Sequence, residues 1–594
     1  MRGIAWTATL LSIVLAAACS DDTVIKPAAD AGRDGRTNTE AGTPDGPEVC
    51  VELLPTSFPE DTVLKKNCYL CKQTPKITDG VKITMEPGVK IVFSADTGLD
   101  ITDNDILIAA GTATQPIVFT GAQKVRGHWK GLTFGSTLKP DSKLDYVIIE
   151  YAGDTTSDKT AAALKASADS RGARFSMTNT IIRESQGFGI NLGGSAVVGA
   201  FSKNTLTKNT LGPGHIASEV VSVLDAASTY KGNDRDELYV KAWRTKGTWA
   251  TLDVPYYVDG PLSADGDWTI AAGATLILSD GSGITISDDA IALVAVGTAQ
   301  KPILFTGATK KRGAWKGIHF NGSNNTRNAL AYATVEYAGD TITTSDKDAA
   351  AVKLTSDSSG VQLSMTQTKI LESQGWGLYA VGSAVLPGFV GNTLTKNTLG
   401  PASVASEAVH QLLPTSTYTG NDVDRLMVQG GYVSKSVTWQ KLDVPYLVNK
   451  HLAPNHAVLT LAPGITLLMA DGGYIDVGGD DTGFHAVGTA AAPITITSLK
   501  KTAGAWESIV FDNTINGANA LDYCTVEYGG GGAYKGWGGM IHASADSSGV
   551  KVSIANSKIQ NSSVCCVWQS SSAQLNLSGT TFASCASGDV CKQP

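Results

Sequence analysis

The sequence predicts an all-β solenoid, a parallel β-helix, and three observations carry that prediction. One block recurs three times: GTATQPIVFTGAQKVRGHWKG from Gly111, GTAQKPILFTGATKKRGAWKG from Gly297 and GTAAAPITITSLKKTAGAWES from Gly488. The offsets are 297 − 111 = 186 and 488 − 297 = 191, and Trp129, Trp315 and Trp506 keep them, as do Glu150, Glu336 and Glu527. A shorter period runs inside the long one. Turns at Gly88, Gly273 and Gly464 are followed 23 or 24 residues later by the Gly-Thr pairs at Gly111, Gly297 and Gly488, and Asn179 precedes Asn204 by 25 residues. Twenty to twenty-five residues is the length of one β-helix coil, three short strands and three turns. Finally, the segments between turns are β-branched and alternating, as in FSMTNTIIRES and LSMTQTKILES, and a helix-period stripe is hard to find.

Composition agrees with this reading. The chain has 594 residues, of which 64 are Gly and only 17% are charged, which suits many short strands joined by turns. A net charge of −8 and the lack of a basic domain argue against nucleic acid as a partner.

From the N-terminus, Arg2 and the apolar run Thr9 to Ala18 form an export signal too short to span a bilayer as a stable helix. Small residues Ala16 to Ala18 precede Cys19, and this pattern resembles a bacterial lipoprotein signal in which Cys19 becomes the lipidated first residue. The resemblance implies a chain exported and anchored by lipid to the cell envelope, at the outer membrane or cell surface. Residues 19–49 are rich in Asp, Gly, Thr and Pro without one aromatic, and read as a disordered tether with a reach of roughly 30 Å. Residues 50–80 read as a Cys-containing cap, 81–579 as the β-helix and 580–594 as a Cys-containing end.

Eight cysteines remain beside Cys19: Cys50, Cys68 and Cys71 near the start, and Cys524, Cys565, Cys566, Cys585 and Cys591 near the end. An exported protein permits disulfides, and they are expected to staple the two ends, where a solenoid exposes core and unpaired strand edges. About 20 coils at roughly 4.8 Å each put about 100 Å between the clusters, so no bond crosses from one to the other. Three and five are both odd, so each end should keep one thiol unless chains pair. Cys68-Tyr-Leu-Cys71 lacks both the βαβ context of a redox motif and the second ligand pair of a zinc site.

A second repeated run links the blocks. NTLTKNTLGP occurs at Asn204 and Asn392, TYKGNDRDELYV at Thr229 returns as TYTGNDVDRLMV at Thr417, and TWATLDVPYYV at Thr248 returns as TWQKLDVPYLV at Thr438. This run resembles repeats of exported bacterial right-handed β-helix proteins of the pectate-lyase-like superfamily. The resemblance implies a right-handed β-helix and leaves activity open, since that superfamily holds lyases, hydrolases and adhesins.

Candidate chemistry is sparse. Polygalacturonase-like members carry Gly-His-Gly and Arg-x-Lys; there is no Gly-His-Gly here, and Arg244-Thr245-Lys246 is the only Arg-x-Lys. No catalytic residue is assigned. The recurrent Glu150, Glu336 and Glu527 stand too far apart to form one acid/base pair and read as structural. Asp234 and Asp236, with Asp422 and Asp424, form two GNDxD turns whose alternate carboxylates are weak Ca²⁺ candidates; no other cofactor is indicated. A basic turn precedes each recurrent Trp. Trp129 with Lys130, Trp315 with Lys310, Lys311, Arg312 and Lys316, and Trp506 read as candidate glycan contacts, an indole face on a sugar ring and cations on its acid groups, the alternative being a charged turn that keeps the surface soluble with the Trp buried on the helix flank. The fold reading places Trp129, Trp315 and Trp506 on one side of one axis. The function expected is adhesion or polysaccharide binding without catalysis, the rival being a β-helix polysaccharide lyase or hydrolase.

Overall fold

In a computed structural model, the described residues are Cys50, 52–136, 142–154, 160–166, 172–339, 347–356, 360–532, 538–545 and 549–593. The signal segment, Cys19 and the tether lie outside them. Every pairing between described strands is parallel, and short strands stack coil on coil into sheets that run along one axis. The chain is a parallel β-helix.

Alternation makes this stack. In each strand one set of side chains points inward and meets its counterpart in the next coil. Ile91, Phe119, Ile149, Ile182 and Leu206 follow one another in register and are all fully buried. Corners between strands are made by single residues with positive φ: Tyr146 (51°), Tyr332 (46°) and Tyr523 (47°) in the three blocks. A non-Gly residue there carries strain, which the stack offsets by using both backbone groups. The Tyr332 amide donates to Thr366 in the next coil, and its carbonyl accepts from Ile303 in the previous one.

Asparagine fills other turns. Asn204 is buried; its Oδ1 accepts from the Thr180 amide (3.1 Å) and its Nδ2 donates to the Met177 carbonyl (3.0 Å), both one coil back. Asn392 repeats this with Thr368 and Met365. Asn179 instead donates to Asp145. A true side-chain ladder lies one turn further on, where Asn209 donates to Asn233 and Asn397 to Asn421, both at 3.0 Å.

Coils are less uniform than the predicted 20 to 25 residues. Tyr239 pairs with Tyr257 (257 − 239 = 18) but Ile318 with Val352 (352 − 318 = 34). The long coils carry the basic turn before each Trp and further loops, and these add residues without adding strands.

The solenoid also extends past both predicted boundaries. Glu52–Leu53 and Cys68–Cys71 already pair in the first sheet, and Thr581–Cys585 and Val590–Lys592 close the last coil. Disulfides staple both ends: Cys50–Cys68, Cys565–Cys591 and Cys566–Cys585. Cys71 and Cys524 stay as buried thiols, one at each end. Burial pushes them up to about 11 and about 12, so neither is a nucleophile at neutral pH.

The long repeat does not return to the same face. The Ile117–Gly121 strand of the first block lies in a seven-stranded sheet (the first); its counterpart Ile303–Gly307 lies in a twelve-stranded sheet (the second), and Ile494–Ser498 in a seventeen-stranded sheet (the third). Likewise Gly131–Phe134, Ile318–Asn321 and Ile509–Asp512 occupy the second sheet, the third and a further seven-stranded sheet (the fourth). At each junction a 3₁₀ turn, Ser218–Val223 or Ser406–Gln411, follows the strand, and the next strand stacks on that same strand, His215 pairing with Tyr239 and Ser403 with Met427. Counterparts in successive repeats thus fall one sheet further on. Trp129, Trp315 and Trp506 do not share a side, which corrects the expectation above.

One buried acid near the start makes stability pH-dependent. Asp105 accepts from the Gly80 and Thr102 amides, yet burial dominates and pushes its carboxyl up to about 6. The folded state thus holds this proton more tightly than the unfolded chain, whose Asp titrates near ~3.9. Stability from this group is full below about pH 4 and is lost as pH rises towards 6. Thermal unfolding of wild type and Asp105→Asn at pH 4 and pH 7 should show the wild type losing stability relative to the variant over that interval; parallel curves would refute it.

Candidate functional site

The three recurrent Trp are fully buried, and each indole N–H donates to a main-chain carbonyl across the turn: Trp129 to Glu150 (2.9 Å), Trp315 to Glu336 (2.9 Å) and Trp506 to Glu527 (2.8 Å). Trp129 also stacks on Phe93 at 4.0 Å. No indole face is left for a sugar ring, so the reading of Trp129, Trp315 and Trp506 as glycan contacts is corrected. They are core residues whose one polar atom is satisfied.

The basic turns are committed as well. Lys310 donates to Thr306, which donates to Glu336, and its ammonium lies 5.3 Å from the centre of the Tyr337 ring. Lys124 and Lys501 repeat this with Glu150 and Tyr151, and with Glu527 and Tyr528. Burial pushes the Glu150 carboxyl up, but hydrogen bonds from Arg183 and Thr120 outweigh it and hold it below the usual range. The recurrent glutamates are structural anchors of these clusters.

Arg312 binds Glu372 (2.9 Å), Thr398 (3.1 Å) and Asp422 (2.7 Å), three groups on successive coils, and Arg126 binds Glu184, Thr210 and Asp234 in the same way. This corrects two readings at once. Arg312 is a bolt between coils and has little left for a glycan. Asp234 and Asp422 are its partners and Arg126's, while Asp236 and Asp424 accept from the amides of Asn233 and Asn421 in their own turns. The GNDxD carboxylates are thus occupied, and no group of three or more metal-ligating side chains occurs among the described residues. Lys130, Lys311 and Lys316 are exposed.

What faces solvent is different. On the third sheet Thr285, His319, Lys353 and Tyr379 follow one another in register, pointing outward. Beside them lies a groove of about 580 Å³ lined by Pro261, Gly283, Lys316, His319, Asp348 and Lys353. It meets a second depression of about 440 Å³ that shares Asp348 and adds Trp376, Tyr379, Gln429 and Asn449. Lys353 pairs with Asp348 and lies 5.8 Å from the Tyr379 ring centre. Burial and the Lys353 charge push His319 down to about 4, so the ring is neutral at pH 7; it bonds Thr355 at 2.8 Å. A smaller depression of about 290 Å³ beside Lys551 and Gln574 has no aromatic lining.

Two large aromatics are strongly exposed near the start of successive sheets. Trp243 is 62% exposed and immediately precedes the Arg244–Trp249 strand that opens the third sheet; its carbonyl accepts from Ser263, two residues from the groove wall at Pro261. Arg244 lies over its ring at 5.9 Å and pairs with Asp265. Tyr432, also 62% exposed, sits in Gly431–Val433, which opens the fourth sheet, with His451 edge-on at 5.9 Å and Tyr474 stacked on His451. Both follow the junction where the repeat turns one face. Sequence reading passed over them because they fall outside the blocks that repeat most closely; their place just before the recurrent TW…PY run was the available signal. On the second sheet His215, Tyr239 and Tyr257 form an outward stack at 5.0 and 5.6 Å.

Comparison with family models and with curated proteins gives no match.

Proposed function

We propose that this chain is a non-catalytic polysaccharide-binding protein of the cell envelope, a lipid-anchored β-helix rod. The observation that carries the reading is the pair of exposed aromatics, Trp243 and Tyr432, each set by a repeat junction beside polar outward side chains. An exposed ring flanked by hydrogen-bonding groups suits a sugar, which offers an apolar face and a rim of hydroxyls. The charge beside Trp243 is paired, Arg244 with Asp265, and the neighbours of Tyr432 are the rings of His451 and Tyr474, so the ligand favoured is a neutral glycan rather than the acidic one the basic turns suggested. Screening the purified protein on a glycan panel, for retention and cleavage together, tests this; retention lost in the double variant Trp243→Ala/Tyr432→Ala is the expected result.

The rival, a lyase or hydrolase, has one observation in its favour: Asp348, Lys353 and His319 converge in a single groove that the other repeats do not copy. Among the described residues, however, Asp348 is the one carboxylate in the groove lining, and it is held by Lys353, whereas hydrolysis of a glycosidic bond uses two carboxyls. New reducing or unsaturated ends, abolished by Lys353→Ala, would establish the rival.

Export is supported by the three disulfides, and anchoring by the Leu15 to Cys19 sequence. Replacing Cys19 with Ser should move the protein from the membrane fraction to the soluble one; a variant that stays membrane-bound would refute the anchor.

A further inference from the structure

We infer that the rod bridges two glycan chains, holding one at Trp243 and another at Tyr432 on an adjacent face. The inference rests on the glycan-binding reading above and adds valency and geometry to it. The two rings belong to sheets that meet at a corner: the chain leaves the third sheet after Leu426–Val428 and enters the fourth at Gly431–Val433. Between Trp243 and Tyr432 the third sheet advances seven rungs, through the pairings of Arg244, Ser263, Thr285, His319, Lys353, Tyr379, Ser403 and Met427. At ~4.8 Å per rung the stations stand about 34 Å apart along the axis. A stacked β-helix is stiff, so the two cannot fold onto one sugar. A single glycan running straight along one face reaches one station and passes the other by.

The side chains around each ring set the ligand class. Beside Trp243 stand Arg244, paired with Asp265, and Ser263; near Tyr432 stand His451 and Tyr474. An exposed ring beside hydrogen-bonding groups without a strong net field, on an open sheet face, fits an extended β-1,4-linked chain of neutral hexoses or pentoses. Two weak stations on a rigid rod give network formation, because each chain bound at one station raises the effective concentration of others at the second.

The test uses the mature protein and defined probes: the β-1,4-linked hexaoses of glucose, mannose and xylose, and the soluble polymers hydroxyethylcellulose, glucomannan and arabinoxylan. Calorimetry with the hexaose that binds should give a stoichiometry of two per chain, falling to one in Trp243→Ala and to one in Tyr432→Ala. Light scattering with the matching polymer should rise to a maximum at an intermediate protein ratio and fall in excess protein. Either single variant should still bind the polymer and lose the scattering maximum. Both side chains are exposed, so the variants should melt with the wild type. Wild-type stoichiometry of one, or a scattering maximum that survives in the single variants, overturns bridging while leaving glycan binding intact. Binding of none of the hexaoses or polymers overturns both.

Discussion

Replacing Trp315 with Ala should cost about 3–5 kcal/mol, the range for removing a fully buried Trp. The indole is 0% exposed, at the point where the basic turn folds back under the coil, and its N–H closes the turn onto Glu336. Alanine opens a cavity and leaves the Glu336 carbonyl without that donor. In a solenoid each coil contacts only its neighbours, so the loss concentrates locally. Hydrogen exchange should accelerate first in Ile303–Gly307 and Ala333–Glu336, and the denaturation midpoint should fall. Trp315→Phe fills most of the volume and should recover more than half of the loss. A surface Trp available to sugars would instead give a change under about 0.5 kcal/mol.

Removing the Cys566–Cys585 bond, by replacing both residues with Ser, should cost about 2–4 kcal/mol. Beside the Cys565–Cys591 bond the final coil has little else. Most of the Thr581–Cys585 side chains are exposed, and the Val590–Lys592 strand is only part-covered, whereas Cys566 lies in the buried Cys565–Gln569 strand. The bond closes a separation of 19 residues and ties this thin coil to a packed one. Fraying should therefore be confined to the last coils, seen as lost amide protection after about residue 558, with the strands around Ile303 unaffected. Equal protection in the double variant and the wild type would show that the coil is held by its own packing and the Cys565–Cys591 bond.

These two cases show what the sequence could and could not reveal. Coil stacking was legible because repeated blocks and alternating strands state it directly, and so were the end staples, because every cysteine falls in one of two end clusters. The turn of each repeat by one face was not. It depends on how many strands a repeat contributes, and nothing in SEVVSV or SEAVHQ announces a 3₁₀ turn at the repeat junction. For Trp129, Trp315 and Trp506 the sequence left two readings open, a glycan contact beside the lysines or burial on the helix flank; burial holds, with each indole N–H meeting a carbonyl 21 residues away. Asp234 and Asp422 read as open ligands because their arginines lie 108 and 110 residues back, a distance no local pattern spans. Trp243 and Tyr432 were missed for the opposite reason, since attention to repetition favours what holds coils together over what differs between them.

That division of labour is the central claim: the repeated charged and aromatic residues build the rod, and the exposed rings at the junctions bind. Two variants measured side by side test it most directly, Lys310→Ser/Lys311→Ser/Arg312→Ser and Trp243→Ala/Tyr432→Ala, each by thermal unfolding and by retention on an immobilised glycan that holds the wild type. The account predicts that the first variant melts earlier with retention unchanged, because Arg312 and Lys310 tie coils together, and that the second melts with the wild type and is no longer retained. Loss of retention in the first variant without loss of stability, with the second still retained, would contradict it.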